Sequence, residues 1–287
     1  MLGSATELAV ACRGTALENR QAFEVTTPTG HLVLAIPCTL EEATTLWTAA
    51  VDLLPATGWY PVITYDDEYL DCPELAFIGA SMPAAPSDGA TIERMVDGYF
   101  RHLRNPVSED DMRLELALTQ RVLGAAPDIA EVQAVFRDYS PSRLALERWL
   151  FDWELAHGSA TNREVLDQSV KPLFSREIPG FTNYLCFLPT SNAWQASGYI
   201  AYMGGEEDRV AEFSGAVLRW EQEFDAQLAL IGSVTAEFAV GRPADTPDKA
   251  WQLALEQKAF GRSNQVRFRW LAAGLMTATS WRLYERP

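Results

Sequence analysis

The spacing of apolar residues changes from two to about three and a half and back along this 287-residue chain. In AFEVTTPTGHLVLAIP, residues 22–37, two extended runs flank Pro28-Thr29-Gly30, which predicts a hairpin with a longer loop. Thr39 and Glu42 then have the spacing of a capping box, in which each side chain satisfies a backbone N–H at the start of a helix. Ala43, Leu46, Trp47, Ala50, Val51 and Leu54 follow on one helical face. Pro55 and Gly58 are expected to end that helix, and WYPVITY, residues 59–65, to form a strand.

SMPAAPSDGA, residues 81–90, has the composition of a linker. From 91 to 178 the pattern is mainly helical. One helix is capped by Ser108 and carries Met112, Leu116, Thr119 and Leu123. A second starts at Pro127, and a third covers 142–156, where apolar residues occupy more than one face. The remainder, 179–287, mixes strands at 184–189, 196–204 and 228–241 with helices at 210–228, 247–260 and 266–280. Helices and strands alternate without regular βαβ spacing. The expected class is α+β, a mixed or antiparallel sheet packed with helices, with segments at 1–80, 91–178 and 179–287 and a linker at 81–90.

Composition narrows the partners. Thirty-nine acidic against 23 basic residues give a formal net charge of -16, a field that repels nucleic-acid phosphates and anionic lipid. No nucleic acid and no membrane are therefore expected as partners, whereas a basic protein would suit the charge. Cys12, Cys38, Cys72 and Cys186 form no C-x-x-C pair, so reduced thiols and a cytoplasmic setting are expected, with no cofactor. ELAVAC, residues 7–12, has a lipoprotein-like outline, but no basic residue precedes it and Glu7 interrupts it, so export is not expected.

Motifs for a P-loop, a dinucleotide-binding turn, a serine nucleophile elbow and a zinc helix are missing from the sequence. Asp66, Asp67, Glu68 and Asp71 could offer hard oxygen ligands to a cation, but they lack the calcium-loop spacing, and a solvated acidic loop is the favoured reading. Thr190-Ser191-Asn192 beside Trp194 could hydrogen-bond a ligand while the indole stacks on it, or could be a plain turn. In the helix opened by Thr246 and Pro247, Glu256 sits at the edge of the apolar side. It could pair with Arg242 or Arg262, or act as acid or base if desolvated.

Residues 182–287 resemble the DUF4253 family, a bacterial domain of unknown function. The likeness runs in order through LPTSNAW at 188–194, YIAYMGG at 199–205, LRW at 218–220, TAEFAV at 235–240, the Arg242-Pro243 pair and ALEQ at 254–257. LWTAAVDLLPATGWYPVI at 46–63 looks like a piece that can precede that domain. Where family members tend to carry a Cys-Pro pair after the second strand, this chain has MGGEEDRVAEF. Where they carry a Cys-Pro-Asp stretch after the Glu-Gln helix, it has FGRSNQV. The resemblance implies the fold and raises Glu237, Arg242, Glu256 and Gln257 as one polar cluster. It brings no activity.

Two functions are expected from these features. The first is a non-enzymatic protein of a bacterial cytoplasm whose acidic surface masks a basic protein, as an immunity-type partner would. The alternative is a small-molecule enzyme or ligand-binding protein using Glu237, Arg242, Glu256 and Gln257, with Trp194 as a further ligand contact.

Overall fold

The computed structural model describes residues 3–27, 29–65, 85–137, 140–175, 183–200, 202, 209–262 and 265–285. Seven strands form one mixed sheet: β1 (Phe23–Thr26), β2 (Leu32–Cys38), β3 (Tyr60–Tyr65), β4 (Asn183–Leu188), β5 (Ala226–Ile231), β6 (Thr235–Val240) and β7 (Ser280–Tyr284). Their spatial order is β1-β2-β4-β3-β5-β6-β7. Every neighbouring pair is antiparallel except β3 with β5. Strand β4, late in the chain, therefore lies between β2 and β3, and the two ends of the sequence share one sheet.

Both faces of that sheet are covered, which explains why β2 and β3 read as nearly unbroken apolar runs. On one face Val33, Ala35, Val62, Cys186, Phe238, Trp281 and Leu283 enter the larger core. On the other, Leu34, Ile36, Ile63, Leu185 and Phe187 meet Leu46, Trp47 and Phe174. A bulge in β5 shifts the register between Leu228 and Leu230, so Ala229 and Leu230 both turn to the second face.

The second face is covered by α1 (Ala5–Ala11) and α2 (Leu40–Thr57). Thr39 and Glu42 form the expected capping box on α2, and the Trp47 indole donates to the Pro61 carbonyl at 3.2 Å. Pro55 does not end α2 but sits in its last turn, where a missing N–H costs only one helical bond. Gly58, at φ 68°, closes the helix.

The first face is covered by α3 (Gly89–Tyr99), α8 (Ala193–Ala196), α9 (Val210–Phe224), α10 (Pro247–Phe260) and α11 (Phe268–Leu275). Helices α4 (Glu109–Leu123), α5 (Ile129–Phe136) and α6 (Arg143–Ala156) enclose a satellite core of Met112, Leu116, Val132, Phe136, Leu146 and Leu150, and α7 (Arg163–Ser169) follows them. Arg269 of α11 fastens these helices to the rest. Fully buried, it reaches Glu115 at 2.7 Å, Glu147 at 3.0 Å and Glu154 at 2.8 Å.

Two further sequence expectations are corrected. The strand expected at 196–204 is not formed over its described part. Ala196, Ser197, Gly198 and Tyr199 donate instead to carbonyls three or four residues back, so α8 and a turn bury Tyr199 and Ile200 without a sheet. The helix expected to run to 280 stops at Leu275. Ser280–Tyr284 is an edge strand whose Trp281 and Leu283 face one core while Arg282 faces the other side. Asp66, Asp67, Glu68, Asp71 and Cys72 lie outside the described residues, as do residues 81–84 of the linker.

Candidate functional site

The residues raised as one polar cluster are divided by the sheet. Successive strand residues point to opposite faces, so Phe238 packs on the Trp220 side and Glu237 on the Phe174 side. Glu237 is 2 % exposed. One carboxylate oxygen accepts the Phe174 N–H at 2.7 Å and the other accepts Arg282 Nε at 2.6 Å. Burial raises the Glu237 pKa, and Arg282 opposes that rise.

Glu256, 1 % exposed, lies on the other face. Its Oε2 accepts Trp220 Nε1 at 2.8 Å, and its Oε1 faces Gln252 Nε2 at 3.2 Å and Arg219 Nη1 at 3.1 Å. Burial again raises the pKa, offset first by Arg219 and then by the Trp220 bond. Gln257 is buried, and its Nε2 has no hydrogen-bond partner among the described residues. Arg242 is exposed and donates to the Gln222 carbonyl at 2.7 Å. Neither Arg242 nor Arg262 pairs with Glu256; Arg262 holds Glu285 instead, at 3.1 Å. The cation beside Glu256 is Arg219, which the sequence did not point to.

The Thr190–Asn192 turn satisfies itself. Thr190 Oγ1 donates to Gln195 Oε1, Asn192 Nδ2 donates to the same oxygen at 3.1 Å, and the Asn192 N–H donates to Thr190 Oγ1 at 3.2 Å. Trp194 is half-buried against the main core. Among the described residues no group of three or more His, Cys, Asp or Glu side chains is arranged to hold a metal ion.

Concave surface lies elsewhere, along α3 and α10. Asp88 caps α3 by accepting the Thr91 N–H at 2.8 Å. Ile92, Val96 and Phe100 point inward at spacings of four. Arg94, Asp97, Arg101 and Arg104 follow at i, i+3, i+7 and i+10, which leaves one polar stripe outside, running into the short 3-10 helix Phe100–Arg104. Helix α10 is buried nearly all round. Its half-exposed residues in mid-helix, Gln252 and Leu255, lie one turn apart and face that stripe.

Between the two helices, with Leu144 of α6 also in its lining, lies an open cleft of about 730 Å³. Its charged wall carries Glu93, Arg94, Asp97, Arg101 and Arg104, and its apolar side Val96, Phe100, Leu144 and Leu255. Asp97 pairs with Arg104, and Arg94 donates to Thr91 Oγ1 at 2.9 Å. Gln252 also borders a smaller hollow of about 190 Å³ that includes Arg219 and Glu256. Arg219 reaches Glu223 at 3.0 Å and Glu93 at 3.8 Å, so one guanidinium joins the buried Glu256 to the cleft wall. The sequence reading missed Arg94, Arg101 and Arg104. Their heptad-like spacing was visible, but the opposing wall comes from residues roughly 150 positions later.

No curated protein and no solved structure matches the chain. The α10 wall, with Gln252 and Leu255, falls inside the part that matches a known family, whereas Arg94, Arg101 and Arg104 fall outside it. Over residues 184–284, from β4 to β7, the chain matches the family described as Domain of unknown function (DUF4253).

Proposed function

We propose that the protein is a non-enzymatic binding protein that takes a small molecule into the cleft between α3 and α10. The cleft itself carries this reading. An open hollow of about 730 Å³ lined by both apolar and charged side chains has the size of a ligand site. The buried acids argue for binding over catalysis, because Glu237 and Glu256 already have both oxygens occupied by internal donors. The setting we propose is a bacterial cytoplasm, in keeping with buried, unpaired Cys12, Cys38 and Cys186. Among the described residues no helix is long and apolar enough to cross a membrane.

The test is a thermal-shift screen of the full chain against neutral, cationic and anionic metabolite-like compounds, since a ligand of the native state alone raises Tm with its concentration. At least one compound is expected to do so, and Leu255→Trp, which fills the cleft from a half-exposed position, is expected to abolish the shift. A screen without any shift, or a shift that Leu255→Trp leaves intact, would remove the reading.

A second reading, masking of a basic protein, is supported by the net charge of -16 and by the exposed Glu109, Asp110 and Asp111 in the first turn of α4. Reversing Glu109 and Asp110 should then weaken a complex with a basic partner captured from the host, most strongly at low salt. Unchanged affinity in calorimetry would count against it.

A further inference from the structure

Resting on the cleft as the binding site, we infer that its ligand is an amphipathic anion, one carboxylate or phosphate head on an apolar body. Arg94 of α3 and Arg101 and Arg104 of the 3-10 helix that follows it all line the cleft in a chain whose net charge is -16, so the cleft wall is locally opposite in sign to the molecule. A guanidinium presents a planar fork of donors that matches a carboxylate or phosphate, and at a cleft mouth it keeps its charge at every physiological pH.

The three arginines are not equivalent. Arg104 is held by Asp97 and Arg94 by Thr91. Arg101, between them along the stripe, is exposed and makes no hydrogen bond or ion pair among the described residues. It is the donor left for a ligand. Arg94 and Arg104, already oriented by their partners, flank it and add to the local potential.

The same wall limits the ligand's charge. Glu93 and Asp97 stand among the arginines, and Arg219 faces Glu93 from behind at 3.8 Å. Three guanidinium groups against two carboxylates leave a balance of one positive charge, which suits a single anionic head; a triphosphate or a nucleic-acid backbone would meet the carboxylates as well. Leu144 and Leu255, half-exposed on the opposite side, offer the surface on which an apolar body loses its contact with water. Inorganic phosphate alone leaves that surface wet, and an uncharged chain leaves Arg101 without its partner.

Calorimetric titration of the full chain with hexyl phosphate, hexanoate, inorganic phosphate, hexanol and hexylamine tests this. Hexyl phosphate or hexanoate is expected to bind more tightly than inorganic phosphate and hexanol, and more tightly at low salt. Which of the two binds better assigns the head group. Arg101→Ala, at an exposed position without internal partners, should fold normally and weaken the preferred anion by about tenfold or more, the loss of one charge-assisted contact. Arg101→Lys should restore part of that loss.

Binding of hexanol or hexylamine as tight as that of both anions, blocked by Leu255→Trp, would overturn the charge assignment and leave the binding site standing. Equal affinity of wild type and Arg101→Ala for the anions would overturn it too. Failure of every probe, together with an empty metabolite screen, would remove the site and the ligand class alike.

Discussion

Arg269 has no contact with solvent and three carboxylates around it, so its substitution separates what an ion pair gives from what it prevents. The three carboxylates raise its pKa, outweighing a burial effect that alone would lower it. Glu154 behaves differently: burial raises its pKa, Arg269 and Thr119 oppose that, and the direction remains upward. Arg269→Met keeps roughly the volume and removes the charge, which strands buried Glu147 and Glu154, whereas Glu115 keeps Arg143 and Arg267, each at 3.2 Å. The expected cost at neutral pH is about 3–5 kcal/mol, read by urea denaturation. The sign of its pH dependence follows from Glu154. A carboxyl whose folded pKa lies above the unfolded value favours the folded state below that unfolded value, near 4.5, and loses the benefit as pH rises through the folded pKa. Without the arginine that upward shift grows, so the variant should recover more stability than wild type between pH 7 and pH 5. A penalty independent of pH would show that packing around the arginine, and not its charge, holds α11 to α4 and α6. The residues of this cluster were not singled out in the sequence. Glu115, Glu147 and Glu154 read there as ordinary helix glutamates, because their inward direction is set by α11, more than a hundred positions away. Glu256 was singled out as a boundary residue beside Leu255, yet it is buried and Leu255 is the half-exposed one. Arg219, the partner of Glu256, was not singled out, as it lies on another helix.

At the scale of elements, local signals were read well and long-range ones poorly. The capping box of α2 and the Thr246-Pro247 start of α10 depend on residues within one turn, and both are present as expected. The residues of β7 alternate as a strand should, yet Trp281 and Leu283 continue the apolar sequence of α11, and only the free edge of β6 decides between the two. Gly215 shows a constraint of the same long-range kind. A Cβ at this position would lie 2.3 Å from the carbonyl oxygen of Ser87, whose N–H in turn donates to the Ala211 carbonyl at 2.9 Å. Backbone cannot yield there as a flexible side chain can. Gly215→Ala therefore pushes the start of α3 away from α9, at a cost of about 1–3 kcal/mol. Because α3 carries Arg94 and runs directly into the 3-10 helix that carries Arg101 and Arg104, the same substitution should weaken ligand binding without touching a lining residue. Thermal denaturation and the calorimetric titration read the two effects on one sample. Stability and affinity both equal to wild type would mean that the close contact between α3 and α9 is not held in solution.

The whole molecule depends on a strand order that cannot be read along the chain. The expected class, α+β with a mixed sheet and a mainly helical middle, follows from local periodicity. That β4 lies between β2 and β3 does not, because nothing within β4 specifies neighbours encoded more than a hundred residues earlier. This order has a consequence for the part that matches the family. Residues 183–287 alone keep β5, β6 and β7 as neighbours, but both partners of β4 are lost and β5 loses its parallel neighbour β3. Leu185, Phe187 and Leu230 would also lose Leu46 and Trp47 of α2, which cover them. Removing one face of a two-sided sheet exposes apolar surface worth about 25 cal/mol per Å² and leaves unpaired strand edges that favour aggregation. The isolated segment is expected to lack near-ultraviolet circular dichroism from its tryptophans and to unfold without a cooperative transition. The full chain should unfold in one step, because the two ends share a sheet and Arg269 ties the helical middle to α11. A sharp transition from residues 183–287 by themselves would show that β5–β7 with α9–α11 suffice as a core, and that the N-terminal strands add to a structure they do not determine.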